Sequence, residues 1–282
     1  MRKVSLVILL LSLIGIARAH EALEEKKENP FFFWTSTRID LLPYGWGFQV
    51  DPNEQSTVTI EHANENAIGD SFFFLDASNY HSPNQDQGQQ DNTWYGEATI
   101  RLSPAKIFKT DLSFGPFKDV LIAGSYELGE NSDVAQALLL GVGFDFSDPF
   151  KKDLAGVIKG WVGFWRYIQL NIYARKELWA DPPVKGFSAI QVSMSGGFEF
   201  NIDKSVFLFD GWFDWILGNG PEDPSFHIQP QFKVDVGNYW NWPNKFYAGT
   251  ELDFWWNKYQ LNNIPGLTTD QYAASILLKY YL

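Results

Sequence analysis

Phe72, Phe74 and Asp76 are spaced two apart, so any extended segment that holds them presents two rings and a carboxylate on one side. The same spacing recurs at Trp34, Ser36, Arg38 and Asp40, and at Tyr173 and Arg175. Glu97 and Arg101 share a parity, and Glu61 lies in a further alternating stretch. Rings offer faces for stacking, and carboxylates, amides and guanidinium groups offer directed hydrogen bonds. This is the chemistry of reversible, non-covalent recognition. Bond-breaking chemistry has much less to work with. The chain has four His and no Cys. His20 and His81 fall in a polar leader and a polar loop, His62 takes an apolar parity, and no Ser partner is suggested for His227, which argues against a hydrolase. No Cys/His metal spacing, phosphate-binding Gly loop or dinucleotide fingerprint occurs, so no catalytic residue, metal or cofactor is assigned.

The elements that must position these residues alternate. Ala98, Ile100 and Leu102 oppose Glu97, Thr99 and Arg101, and Ile168, Leu170, Ile172 and Ala174 oppose Tyr167, Gln169, Asn171, Tyr173 and Arg175. In the last eleven residues Tyr272, Ala274, Ile276, Leu278, Tyr280 and Leu282 fall on one parity, with Ser275, Lys279 and Tyr281 on the other. This pattern predicts about twelve strands, near 31–41, 55–64, 71–79, 93–103, 116–128, 135–146, 163–177, 187–200, 204–217, 225–237, 245–258 and 271–282. A soluble sandwich also alternates, but its polar face needs no particular composition. Here that face mixes carboxylates, bases, amides and aromatics, as a barrel lumen does. The expected fold is all-β: an antiparallel up-and-down transmembrane barrel over 31–282. Residues 147–161 are long for a turn and suit a short amphipathic helix or an interfacial segment.

The N-terminus and composition agree with export to a membrane. Arg2 and Lys3 precede an apolar run ending at Ala17-Arg18-Ala19, the form of a signal peptide over 1–19, with a charged periplasmic leader over 20–30. An anchoring helix is disfavoured because the run is short for a bilayer span. The chain carries 22 Lys and Arg against 34 Asp and Glu, a net charge of −12, which argues against nucleic-acid polymers as partners. Twelve Trp and a mean hydropathy of −0.21 fit strands that are half lipid-facing and half water-facing. Most Trp residues fall near predicted strand ends, where the amphipathic indole anchors at the interface; Trp212 and Trp255 can instead point inward by parity.

The stretch Tyr95–Lys118, and above all Thr110-Asp-Leu-Ser-Phe-Gly-Pro-Phe-Lys118, resembles the nucleoside-specific channel (Tsx) family. Collinear similarities at Glu61, Asp76-Ala77, Gly141, Gly143, Asp145 and Asn171–Arg175 extend it across most of the chain, while Leu282 stands where the family has a terminal Phe. The resemblance implies a monomeric twelve-stranded barrel of the Gram-negative outer membrane, seated in its lipid, with a narrow pore passing nucleosides. On that reading Phe72, Phe74, Asp76, Glu61, Glu97, Arg101, Arg38, Tyr173 and Arg175 line the solute path. Pairing among the charges and packing of the rings are the plainer uses of the same residues. A receptor barrel whose outer loops bind phage or mediate adhesion, or a porin for another small amphipathic solute, shares the fold.

Overall fold

Strand alternation closes into a ring. The computed structural model describes residues 31–82, 91–130, 136–147, 161–178, 187, 189–218, 223–261 and 264–282. Among them run β1 (Phe32–Trp46), β2 (Glu54–Asn66), β3 (Gly69–Tyr80), β4 (Asn92–Leu102), β5 (Phe117–Gly129), β6 (Ala137–Phe146), β7 (Trp161–Glu177), β8 (Ala189–Ile202), β9 (Ser205–Leu217), β10 (Ser225–Asp235), β11 (Phe246–Trp256) and β12 (Gln271–Tyr281). Each strand pairs antiparallel with its sequence neighbours, and β12 pairs with β1, so the sheet has no open edge. Closure is what a bilayer demands, because hydrocarbon cannot satisfy unpaired backbone groups. The signal, leader and 147–161 expectations lie outside the described residues, apart from Ser147 and Trp161 at the ends of the last.

Parity decides which face each side chain takes. Ile100, Ile122 and Tyr272 are 60%, 61% and 63% exposed, whereas their neighbours Arg101, Leu121 and Ala273 are 2%, 2% and 1% exposed. Apolar side chains therefore face out toward lipid, and the mixed polar face is buried around the lumen. The strand bounds follow the alternation closely, except that β1 continues past its expected end at 41 to Trp46. Pro43 lacks an N–H, so the ladder slips there and resumes at Gly45. A side chain at Gly45 would collide with Ser275 and the Phe48 ring.

On the outer face, Thr37 Oγ1 and His62 Nδ1 lie 2.8 Å apart and join β1 to β2. Thr37→Val is expected to lower barrel stability by about 1–2 kcal/mol, because lipid offers His62 no replacement partner. Urea titration of the refolded barrel measures it, and an unchanged midpoint would mean that water reaches the pair.

Both β1 and β12 have their chain-terminal ends on one rim, called here the terminal rim; the opposite rim is the distal one. The β4–β5 connection on the terminal rim holds a short helix, α1 (Pro104–Phe108), which the strand pattern did not anticipate. Its signal is local: Ser103 Oγ caps it by accepting from Lys106 N at 3.0 Å, and Pro104 opens it. Lys106 Nζ then donates to Glu65 Oε1 at 2.8 Å, tying this connection to the end of β2.

Candidate functional site

The lumen is lined by two charged walls and two ring clusters. On the first wall, Arg38 pairs with Glu61 across the β1–β2 ladder. Lys279, 1% exposed, lies 2.8 Å from Asp40 Oδ2, and donates to Glu61 Oε2 at 3.3 Å and to Gln231 Oε1 at 3.0 Å. Lys233 pairs with Asp210 and donates to Gln231 Oε1 at 2.7 Å, while the Gln229 and Gln231 amides donate to Glu251 at 2.8 and 2.6 Å. The strands that carry this lattice meet only in the closed barrel. Gly249 makes room for it, since a Cβ there would stand 2.8 Å from Lys233 Cβ.

The second wall runs over β3 to β8. Arg101 forks onto Asp70 at 2.8 and 2.7 Å and reaches Asp145 at 2.8 Å. Arg175 Nη1 donates to Glu127 and Gln191 at 2.6 and 2.7 Å, and its Nε donates to Glu177 at 2.6 Å. Tyr95 donates to Glu97 at 2.7 Å, and Asp76 accepts from Thr59 at 2.5 Å. Phe72 and Phe74 have ring centroids 6.0 Å apart, and Phe74 and Tyr95 5.9 Å. Tyr173 packs among Ala123, Ala137 and Leu139. The charges of Glu127 and of Asp214, which β9 brings from the far wall, both act on Glu97, so opposite sides of the lumen sense each other's charge.

All nine candidates read from the sequence take the inner face, though not as one constellation. Arg38 and Glu61 belong to the first wall and the other seven to the second. The cations Arg38, Arg101 and Arg175 are each held by carboxylates. Phe72, Phe74 and Tyr95 form the ring cluster that continues this wall.

A second ring cluster lies in the distal half. His227 stacks on Trp255 at 3.7 Å with an interplanar angle of 15°, and Trp212 meets His227 edge-on at 4.6 Å. Trp255 touches Tyr259 at 5.4 Å. His227 Nε2 lies 3.1 Å from Asp253 Oδ1, which also accepts from Gln271 Nε2 at 2.9 Å. Parity placed Trp212, His227 and Trp255 inward, but their meeting depends on register: Trp212 stands opposite Gln229, and His227 opposite Trp255. The group is capped by the Asn257–Gln260 turn, where Asn257, Tyr259 and Gln260 adopt φ of 56°, 55° and 59°. Burial, followed by the charge of Asp51, pushes the Tyr259 phenol well above its ordinary pKa. A ring platform beside carboxylates can hold a flat polar solute by stacking and hydrogen bonding.

Residues 47–282 match the sequence profile of a family described as the nucleoside-specific channel-forming protein, Tsx; the match begins just after β1, so Arg38 and Asp40 lie outside it. The curated outer membrane protein OmpK of Vibrio parahaemolyticus is 24% identical over 234 residues, covering 82% of this chain and 80% of that protein. Among solved structures, a KdgM porin aligns over 86% of this chain and 98% of its own, with 9% identity and a TM-score of 0.42. Omp33 of Acinetobacter baumannii aligns over 90% and 100%, with 10% identity and a TM-score of 0.36.

Proposed function

The chain belongs to the nucleoside-specific channel-forming protein family, Tsx, as a channel-forming barrel of the Gram-negative outer membrane, and we propose that the solute it passes is a nucleoside. The observation that carries this reading is the distal platform of His227, Trp255 and Trp212 beside Asp253. A nucleoside has a flat base that stacks on such rings, and ribose hydroxyls that donate to carboxylates. Stacking suits any base, so the platform selects a class of solute rather than one base. From there the path continues past Asp76 and the Phe72–Phe74–Tyr95 rings, with the lumenal charges ordered in pairs along both walls. Paired charges orient a dipolar solute without holding it tightly, and weak binding is what conduction requires. Passage is downhill diffusion and uses no cofactor. One closed barrel encloses a whole path, so a monomer suffices.

The test is a planar bilayer comparison of adenosine and thymidine with ribose and disaccharides. Nucleosides are expected to reduce the ion current reversibly and to permeate faster than sugars of similar size. Equal permeation of all solutes would instead favour a general porin, and no permeation a receptor barrel. In the same assay Phe72→Ala with Phe74→Ala is expected to weaken nucleoside block about threefold to tenfold with the barrel still folded. Unchanged block would place the stacking track elsewhere in the lumen.

A further inference from the structure

The distal rim contains an ammonium site already filled by the chain itself. Lys258 is 2% exposed, and its Nζ donates to Asp51 Oδ2 and to Gln271 Oε1, each at 2.7 Å. The same Nζ lies over the Tyr259 and Trp255 rings, 5.1 and 5.9 Å from their centroids. Oxygen acceptors combined with ring faces form the usual cage for a cation. From this cage a chain of hydrogen bonds descends to the platform: Lys258 to Gln271, Gln271 to Asp253, and Asp253 to His227, which stacks on Trp255.

The turn that delivers Lys258 is held against its own backbone preference. Three of its four residues are left-handed; asparagine accepts this readily, but Tyr259 and Gln260 hold it only because neighbouring contacts impose it. Those contacts come from two other distal connections. Asp51 lies between β1 and β2, while Asn257 Nδ2 donates to Pro224 O at 2.9 Å and Gln260 Nε2 to Asp223 O at 3.0 Å, between β9 and β10. Lys258 N also donates to Thr269 O at 2.9 Å, which fixes the backbone of the turn and leaves the Asp51 ion pair and the Gln271 bond to seat the ammonium itself.

We infer that Lys258 is a tethered plug at the distal mouth: its ammonium occupies a cation cage over the solute platform, and its withdrawal opens the path. In the seated state the platform is locked and access is narrowed. In the released state the cage over the platform is vacated, while Gln271 keeps its bonds from Gln49 N and to Asp253, each at 2.9 Å, so the platform stays in place for the solute. Only the solute part of this inference rests on the nucleoside reading; the effect on ion flow does not.

Single-channel recording of Lys258→Met tests it, since Met keeps an apolar stem on Trp255 without the charge. Open conductance is expected to rise about threefold or more, and Asp51→Asn should shift it the same way. A merely structural Lys258 would lower the urea midpoint and leave conductance unchanged. The chain has no cysteine, so Asp51→Cys with Lys258→Cys gives a unique pair for a short reducible bis-thiosulfonate bridge. The bridged barrel is expected to conduct less than the reduced one. Equal conductance in the bridged and reduced states, or in Lys258→Met and the unaltered barrel, would overturn the inference. If Lys258→Met does not fold, the bridged pair decides. Loss of nucleoside block in the unaltered barrel would refute the solute reading and leave the conductance result to decide the plug.

Discussion

Arg101→Leu is expected to reduce barrel stability by about 3–5 kcal/mol, the largest effect of any single lumenal substitution considered. Arg101 is 2% exposed, and its fork holds Asp70 while a third bond holds Asp145. Leucine supplies volume but no charge, so two carboxylates that are mostly shielded from water would face each other without a cation between them. Arg101→Lys should recover only part of the loss, because one ammonium cannot reproduce the planar fork on Asp70 and still reach Asp145. Urea midpoints of the refolded barrel, checked by heat-modifiable gel mobility, measure both substitutions. A midpoint for Arg101→Leu close to that of the unaltered barrel would mean that lumenal water hydrates Asp70 and Asp145 well enough to replace the guanidinium.

His227→Ala combined with Trp255→Ala is expected to weaken nucleoside block by roughly tenfold or more, at about 1–3 kcal/mol per stacked base. These two rings are the most closely stacked aromatic pair described here, at 3.7 Å. Their removal also leaves Trp212 and Tyr259 without their contacts to the pair. Ion conductance should stay the same or rise, since volume is removed from the lumen. Concentration-dependent block by adenosine separates affinity from pore size. If the double variant keeps its affinity while Phe72→Ala with Phe74→Ala loses it, the binding step belongs to the β3–β4 rings and the distal group serves only as packing.

The sequence disclosed faces more readily than partners. Strand period is two, so each alternating stretch shows which side chains share a surface, and the inward placement of Phe72, Glu97, Arg101 and Tyr173 could be read directly. Ion-pair partners depend on register and closure, which a single strand does not reveal. Lys279 meets Asp40 and Glu61 only because β12 closes onto β1, and Lys233 meets Asp210 only once β9 and β10 are aligned. The distal platform was half visible, as three inward rings, but Lys258 and Tyr259 lie in a left-handed turn that leaves no periodic signal. The segment that most strongly identified the family, Thr110–Lys118, lies at the terminal rim and touches the lumenal wall only where Lys118 Nζ comes within 3.8 Å of Asp145. Phe117 packs on Phe144 and Phe146 near the terminal rim, and the Ser113 hydroxyl, followed by Ser113 N, donates to Asp111 and keeps its carboxyl below the usual range. The most specific part of the resemblance therefore lies at the rim, while its collinear extensions at Glu61, Asp76 and Arg175 take the inner face.

The β1–β12 ladder also governs how the molecule is assembled. Every other ladder joins neighbours along the chain, with only one connection to close. The β1–β12 ladder pairs Arg38 with Tyr281, nearly the full span of the barrel, and its register slips between Leu41 and Gly45. Its contact order is the highest in the fold and its backbone pairing is among the least continuous. The Asp40–Lys279 contact lies on this ladder, so nearly the whole barrel sequence separates its two partners. The same lysine that orders the lumen thus also ties together the two strands whose pairing removes the last open edges of the sheet.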